Sequence, residues 1–332
     1  DAAGNVYITG NFSSASITFG TTTLTKAGYT DMFIAKYDPD GNVLWAKSAG
    51  TSYDDFGYSC SIDSSGNVYV TGYFQNASIT FETITLTNVG GADIFIVKYD
   101  ASGNVLWAKS VGGISNEEGY SCSTDAYGNI FITGYFSSPS ITFETITITN
   151  ADTTGSSRDI FIVKYDASGI ALWAKSTGGT SDENGYGCST DLSGNVFVTG
   201  NFTSPAITFG TTTLINAGNY NMFIVKYDAF GNELWAKSAG GTINDYGNSC
   251  STDGSGNVFV TGAFQSYSIT FGTTTLPNYG YYDVFIVKYD ASGNVLWAKS
   301  AGTAYNEFGN ECFCDANGNV LVTGNFNWPI IF

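Results

Sequence analysis

The residues best equipped for chemistry in this chain are carboxylates. They recur at Asp54-Asp55, Glu117-Glu118, Asp182-Glu183, Asp245 and Glu307. Gathered as a ring on one face, they would suit Ca²⁺ or a cationic partner. Spread along solvated loops, they would serve solubility alone, and that is the favoured reading. Paired carboxylates can also hydrolyse glycosidic bonds. Recurrence in every repeat argues against this, because such catalysis needs one asymmetric site with two differently tuned acids. A carboxylate-based glycosidase or lyase is the minor alternative to a chain that is no enzyme and needs no cofactor.

Other chemistries are excluded by composition. The chain has no histidine, so neither a Ser-His-Asp nor a Cys-His nucleophile can form, nor an imidazole metal site. With 12 Lys+Arg against 29 Asp+Glu, net charge is −17, which argues against nucleic acid. No apolar run approaches the ~18 residues of a membrane span. Five of the six cysteines share one repeat position and suit a small thiol buried between packed sheets. Cys312 and Cys314 break the pattern as Glu-Cys-Phe-Cys; with Trp328 they are the candidates for linking to another chain.

These residues are placed by a repeat. Trp45, Trp107, Trp173, Trp235 and Trp297 are spaced by 62, 66, 62 and 62 residues, and Cys60, Cys122, Cys188, Cys250 and Cys312 follow them. The chain reads as one repeat domain over 1–332, with units 1–62, 63–124, 125–190, 191–252 and 253–314 and a partial sixth, 315–332. Ten of the 12 basic residues occupy two repeat positions, represented by Lys36 and Lys47. Packing by cation–π contact or ion pair is their expected role.

Each unit is all-β. In the second, Tyr58 to Ile62 predicts an innermost strand, followed outward by Val68 to Phe74, Asp93 to Tyr99 and Val105 to Ser110. A small hairpin, Ser78 to Thr87, lies between the second and third. Asp-x-x-Gly-Asn closes strand pairs ten times, starting at Asp1, Asp38, Asp63, Asp100, Asp125, Asp191, Asp228, Asp253, Asp290 and Asp315, with Asp166 a variant. Asp accepts from backbone N–H groups ahead of it and Gly takes positive φ, so a turn is favoured over calcium. Four meandering strands per unit predict a β-propeller whose blades each carry an extra hairpin. Blade number is left open.

The segments Gly66-Asn-Val-Tyr-Val-Thr-Gly72, Asp93-Ile-Phe-Ile-Val-Lys-Tyr-Asp100 and Gly103-Asn-Val-Leu-Trp-Ala-Lys-Ser110 resemble the SBBP-type β-propeller repeat. The resemblance implies a secreted or surface-exposed bacterial protein. It implies no activity and supplies no catalytic residues.

Scaffold positions repeat nearly unchanged while the loop after each hairpin diverges. Tyr29, Tyr220, Tyr279, Tyr281 and Tyr282 fall in these loops. Tyr on a rigid scaffold makes an adaptable contact surface for a glycan or protein partner, although drift in tolerant loops would look the same. The expected function is adhesion or assembly through the hairpin-and-loop face. The alternative is an extracellular filament of copies of the chain, joined head to tail by strand exchange at the incomplete end units.

Overall fold

Strands form where β-branched and aromatic residues run together, and they stop where Asp-x-x-Gly-Asn intervenes. The structure, a computed structural model, describes residues 1–315 and 318–327, and these contain no helix. In the second repeat Asp55–Ile62 is innermost, then Val68–Phe74, Asp93–Tyr99 and Val105–Val111. All neighbours are antiparallel. Sheets of the same order begin at Glu117, Glu183 and Asp245. The first sheet holds three strands, Val6–Phe12, Asp31–Tyr37 and Val43–Ala49, while Glu307–Cys314 pairs with Val320–Phe326. These four-stranded meanders are the blades of a β-propeller. By internal packing the chain divides into two compact units, Asp1–Gly155 with Phe161–Ala174, and Ser156–Ile160 with Lys175–Phe332.

The turns are closed by their own side chains. Asp63 Oδ1 accepts from the N–H groups of Ser65 and Asn67, and Oδ2 accepts from Asn67 Nδ2 at 2.8 Å. Gly66 supplies the required φ of 79°. The same bonds close the turns at Asp38 and Asp100. The carboxylate is committed to closing the chain, as the turn reading expects.

The repeat Lys and Trp fasten one blade to the next at this turn end. Lys98 Nζ lies 4.8 Å from the Tyr69 ring centroid and 3.5 Å from Asp63 Oδ2, and donates to Ala167 O at 3.0 Å. Trp107 Nε1 donates to the same carbonyl. Lys226 and Trp235 grip Ala291 O in the same way. The second and third strands of the second blade are buried along their whole length, Val68–Phe74 and Asp93–Tyr99 alike. Both their faces are covered by neighbouring blades and hairpins, which is why they read as near-continuous apolar runs.

Two expectations need correction. The innermost strand begins at Asp55, not Tyr58, so the acidic link is part of the sheet. The hairpin does not stand out as a surface. It folds back along its blade and buries Ile79, Phe81 and Leu86 in the same core as Phe95, Val97 and Tyr99. Its tip reaches the turn end, where Glu82 accepts from Val105 N–H and pairs with Lys47 at 2.9 Å.

Candidate functional site

The end of the blades opposite the Asp turns carries two layers of chemistry, one buried and one partly exposed. The buried layer holds the repeated acids picked out from the sequence, but they are not solvated. Asp55, Glu117, Glu183, Asp245 and Glu307 are at most 1% exposed. Each begins an innermost strand and caps its own link. Glu117 Oε2 accepts from Gly113 N–H at 2.7 Å and Oε1 from Ser138 N–H. Asp55 Oδ2 accepts from both the N–H and the hydroxyl of Thr51.

Each of these acids faces the first residue of the preceding third strand: Asp31, Asp93, Asp159, Asn221 and Asp283, all buried. Asp93 Oδ2 accepts from Val89 N–H, while its Oδ1, like that of Asp283 and of Asp55, is buried with no hydrogen-bonding donor. Burial, and then the neighbouring Glu117, pushes Asp93 up to about 6; burial and Glu307 do the same to Asp283. Asp55 is also raised to about 6, by burial first and Asp31 among the lesser causes. Glu183 is raised to about 7, mainly by burial. A proton held on the raised carboxyl would let its orphaned oxygen donate to the facing acid. The fourth junction carries the neutral isostere, Asn221 facing Asp245. A Cβ on Gly240 would lie 2.3 Å from Asn221 Oδ1 and 3.0 Å from Asp245 Oδ2, so these oxygens are at most 5.3 Å apart. Glycine is required there: at Gly112 a Cβ would lie 2.1 Å from Asp93 Cγ.

Among the described residues no group of three or more His, Cys, Asp or Glu is arranged to hold a metal. The acids come in pairs. Asp54 sits beside this layer, bridged to Thr30, and Asp182 Oδ1 accepts from Arg158 N–H. Glu118 turns away from the buried layer into an aromatic cluster.

The exposed layer is aromatic. Tyr220 and Tyr282, two of the five loop tyrosines, are half-buried and belong to a row across successive blades. Tyr220 lies 5.4 Å from Tyr246, Tyr246 6.0 Å from Tyr282 and nearly parallel to it, and Tyr282 4.9 Å from Phe308. Asn244 Nδ2 donates to the Tyr282 hydroxyl and to Gln265, fixing the ring. Burial and then Tyr282 push the Tyr246 phenol upward, so it stays protonated. Tyr29, Tyr279 and Tyr281 stand outside the row, 69%, 65% and 63% exposed. Tyr246 and Phe308 were not anticipated. Their signal is the residue after each buried acid, which varies (Phe56, Glu118, Asn184, Tyr246, Phe308) between nearly constant neighbours.

The cysteines do not join the site. Cys250 Sγ donates to Phe197 O of the preceding blade at 3.8 Å. Cys312 and Cys314 are buried free thiols. Burial pushes the Cys312 thiol up to about 12, leaving it protonated and inert. Trp328 lies outside the described residues.

Residues 45–73 match the family model of the SBBP β-propeller repeat. The matched stretch runs from the outer strand of one blade to the second strand of the next, so it contains one blade junction with its buried acid, Asp55. The chain is similar, at 29% identity over 411 aligned residues, to a WD repeat-containing protein, L264, of Acanthamoeba polyphaga mimivirus, covering 100% of this chain and 29% of that protein. It is 25% identical over 174 residues to the regulatory protein FlaEY of Caulobacter vibrioides, covering 50% of this chain and 18% of that one. The chain therefore spans less than a third of the length of either relative. Among solved structures, the Neurospora crassa Pan2 WD40 domain aligns over 92% of this chain and 69% of that chain, at 9% identity and a TM-score of 0.45.

Proposed function

We propose that this SBBP-repeat chain is a non-enzymatic binding module that holds a partner protein on the loop end of its blades, for adhesion or assembly at a bacterial cell surface. The observation that carries this reading is the row Tyr220, Tyr246, Tyr282 and Phe308. Half-buried, mutually braced tyrosines supply large contact area at little entropic cost, which suits an interface centre. The divergent loop bearing Tyr279 and Tyr281 would form its rim. The non-enzymatic reading is supported by the acids: they recur as equivalent buried pairs capping backbone amides, an architectural use. The extracellular address rests on the repeat's resemblance alone.

The test is a binding screen of the whole chain against surface-protein fractions and a glycan array, followed by Tyr246→Ala with Tyr282→Ala. The double variant should lose at least about tenfold in affinity for the selected partner, while Tyr29→Ala changes little. Unchanged binding in the double variant would remove the row from the interface. Selection of a glycan, or of another copy of the chain, would replace the partner-protein reading.

A further inference from the structure

Glu118 is the one carboxylate among the five residues that follow a buried acid. It is set in tyrosines. Tyr135 donates to its Oε1 at 2.7 Å and Tyr58 to its Oε2 at 3.2 Å. Tyr58 packs on Tyr120 at 5.2 Å and on Tyr73 at 5.8 Å, and Tyr73 stacks on Phe56 at 5.2 Å. Tyr120 in turn lies 5.6 Å from Tyr135.

Backbone irregularity aims two of these rings. The strand register shifts between Gly57 and Ser59 and again between Gly119 and Ser121, so Tyr58 and Tyr120 are bulge residues. The same shift recurs in the other innermost strands; a bulge re-aims its side chain, and here the side chains it aims are two tyrosines beside a carboxylate. Tyr58 is 40% exposed and Glu118 is partly exposed, so the assembly is reachable from solvent.

None of the ion pairs among the described residues involves Glu118. The same chain shows what such a pairing of ring and carboxylate holds when filled. At the turn end Lys98 Nζ sits 4.8 Å over the Tyr69 ring and 3.5 Å from Asp63. Lys226 does so over Phe197 and beside Asp191, and Lys288 over Phe259 and beside Asp253. An ammonium is attracted by ring quadrupole and carboxylate together, and each attraction is stronger away from bulk water.

The geometry points to a binding site at Glu118, walled by Tyr58, Tyr73 and Tyr120, for an alkylammonium or guanidinium group presented from outside the chain. The tyrosine hydroxyls fix the carboxylate, and the ring faces replace the cation's water. The site lies within one compact unit, and its argument does not depend on the Tyr246 row.

Titration of the whole chain, followed by tyrosine fluorescence and calorimetry, tests this with four probes: Nα-acetyl-lysine amide, Nα-acetyl-arginine amide, tetramethylammonium and the uncharged Nα-acetyl-norleucine amide. At least one cation should bind saturably and the norleucine compound should not. Preference for the amino-acid amides over tetramethylammonium would name a partner's basic side chain as the source; the reverse would name a free quaternary ammonium. Glu118→Gln keeps an acceptor for the tyrosine hydroxyls but removes the charge, and should weaken binding about tenfold with an unchanged melting curve. Tyr58→Leu, at the exposed ring, should weaken it as well. The proposal is overturned if no cation saturates, if norleucine amide binds equally, or if both variants bind like the unaltered chain. Because the Tyr246 and Tyr282 variants leave this site intact, its failure and theirs are separately readable.

Discussion

Two lysines, one from each of the two repeat positions, show how burial sets the worth of a charge. Lys47 and Glu82 form an ion pair at 2.9 Å with side chains 37% and 36% exposed. Such a pair contributes about 0–1 kcal/mol. Lys98 and Asp63 are 6% and 5% exposed, and Lys98 also binds Ala167 O and the Tyr69 ring. Removing one partner of a buried pair strands the other charge and costs on the order of 3 kcal/mol. Lys98→Met should therefore lower the denaturant midpoint clearly, and Lys47→Met hardly at all. Equal effects would show that Asp63 relaxes into solvent when Lys98 is gone. Both lysines were legible in the sequence as repeat positions with a packing role. Which of the two is buried was not, because that depends on the next blade's turn, one repeat away.

At the scale of the element, the junction between blades is the feature the sequence concealed. The second strand, the third strand and the turns were legible because apolar runs and Asp-x-x-Gly-Asn report local structure. The acidic link was misread as solvated because its burial is set by packing between blades. Its consequence is a pH dependence. Asp55, Asp93 and Asp283 are raised to about 6 and Glu183 to about 7, chiefly by burial. A raised folded pKa contributes stability that is full below the unfolded value near 4 and is lost as pH climbs through 6 to 7. Within that window each such group removes about 1.4 kcal/mol per pH unit. Asp38, Asp100 and Asp290 work the other way: the bond from the turn's Asn side chain holds each below the usual range, so their stabilisation is lost as pH falls below about 4. The melting temperature should peak near pH 4, decline to about pH 7 and then level off. Asp93→Asn with Asp283→Asn copies the junction that already holds Asn221, and should flatten the decline. A slope unchanged by both substitutions would place the titration elsewhere.

For the whole molecule, charge decides how a partner arrives and local geometry decides where it stays. Net charge is −17, yet Lys36, Lys98, Lys164 and Lys226 are buried and committed to carbonyls, rings or turn carboxylates. Carboxylates such as Asp93, Glu117, Glu183 and Asp245 are buried as well, so the field a partner meets is negative but set by fewer charges than the formal count, and it favours any basic ligand without selecting a site. Field and site separate with salt. Between about 0.01 M and about 1 M salt the screening length falls from roughly 30 Å to roughly 3 Å, which removes steering but reaches a partly buried contact far less. A lysine oligopeptide should bind the unaltered chain and the Glu118→Gln chain more weakly as salt rises, the shared loss measuring the field. The ratio between the two chains should stay near tenfold, because that difference arises at contact distance among Tyr58, Tyr73 and Tyr120. A ratio that falls to one at high salt would show Glu118 acting as one more charge in the field, with the tyrosines around it serving only to pack the blades.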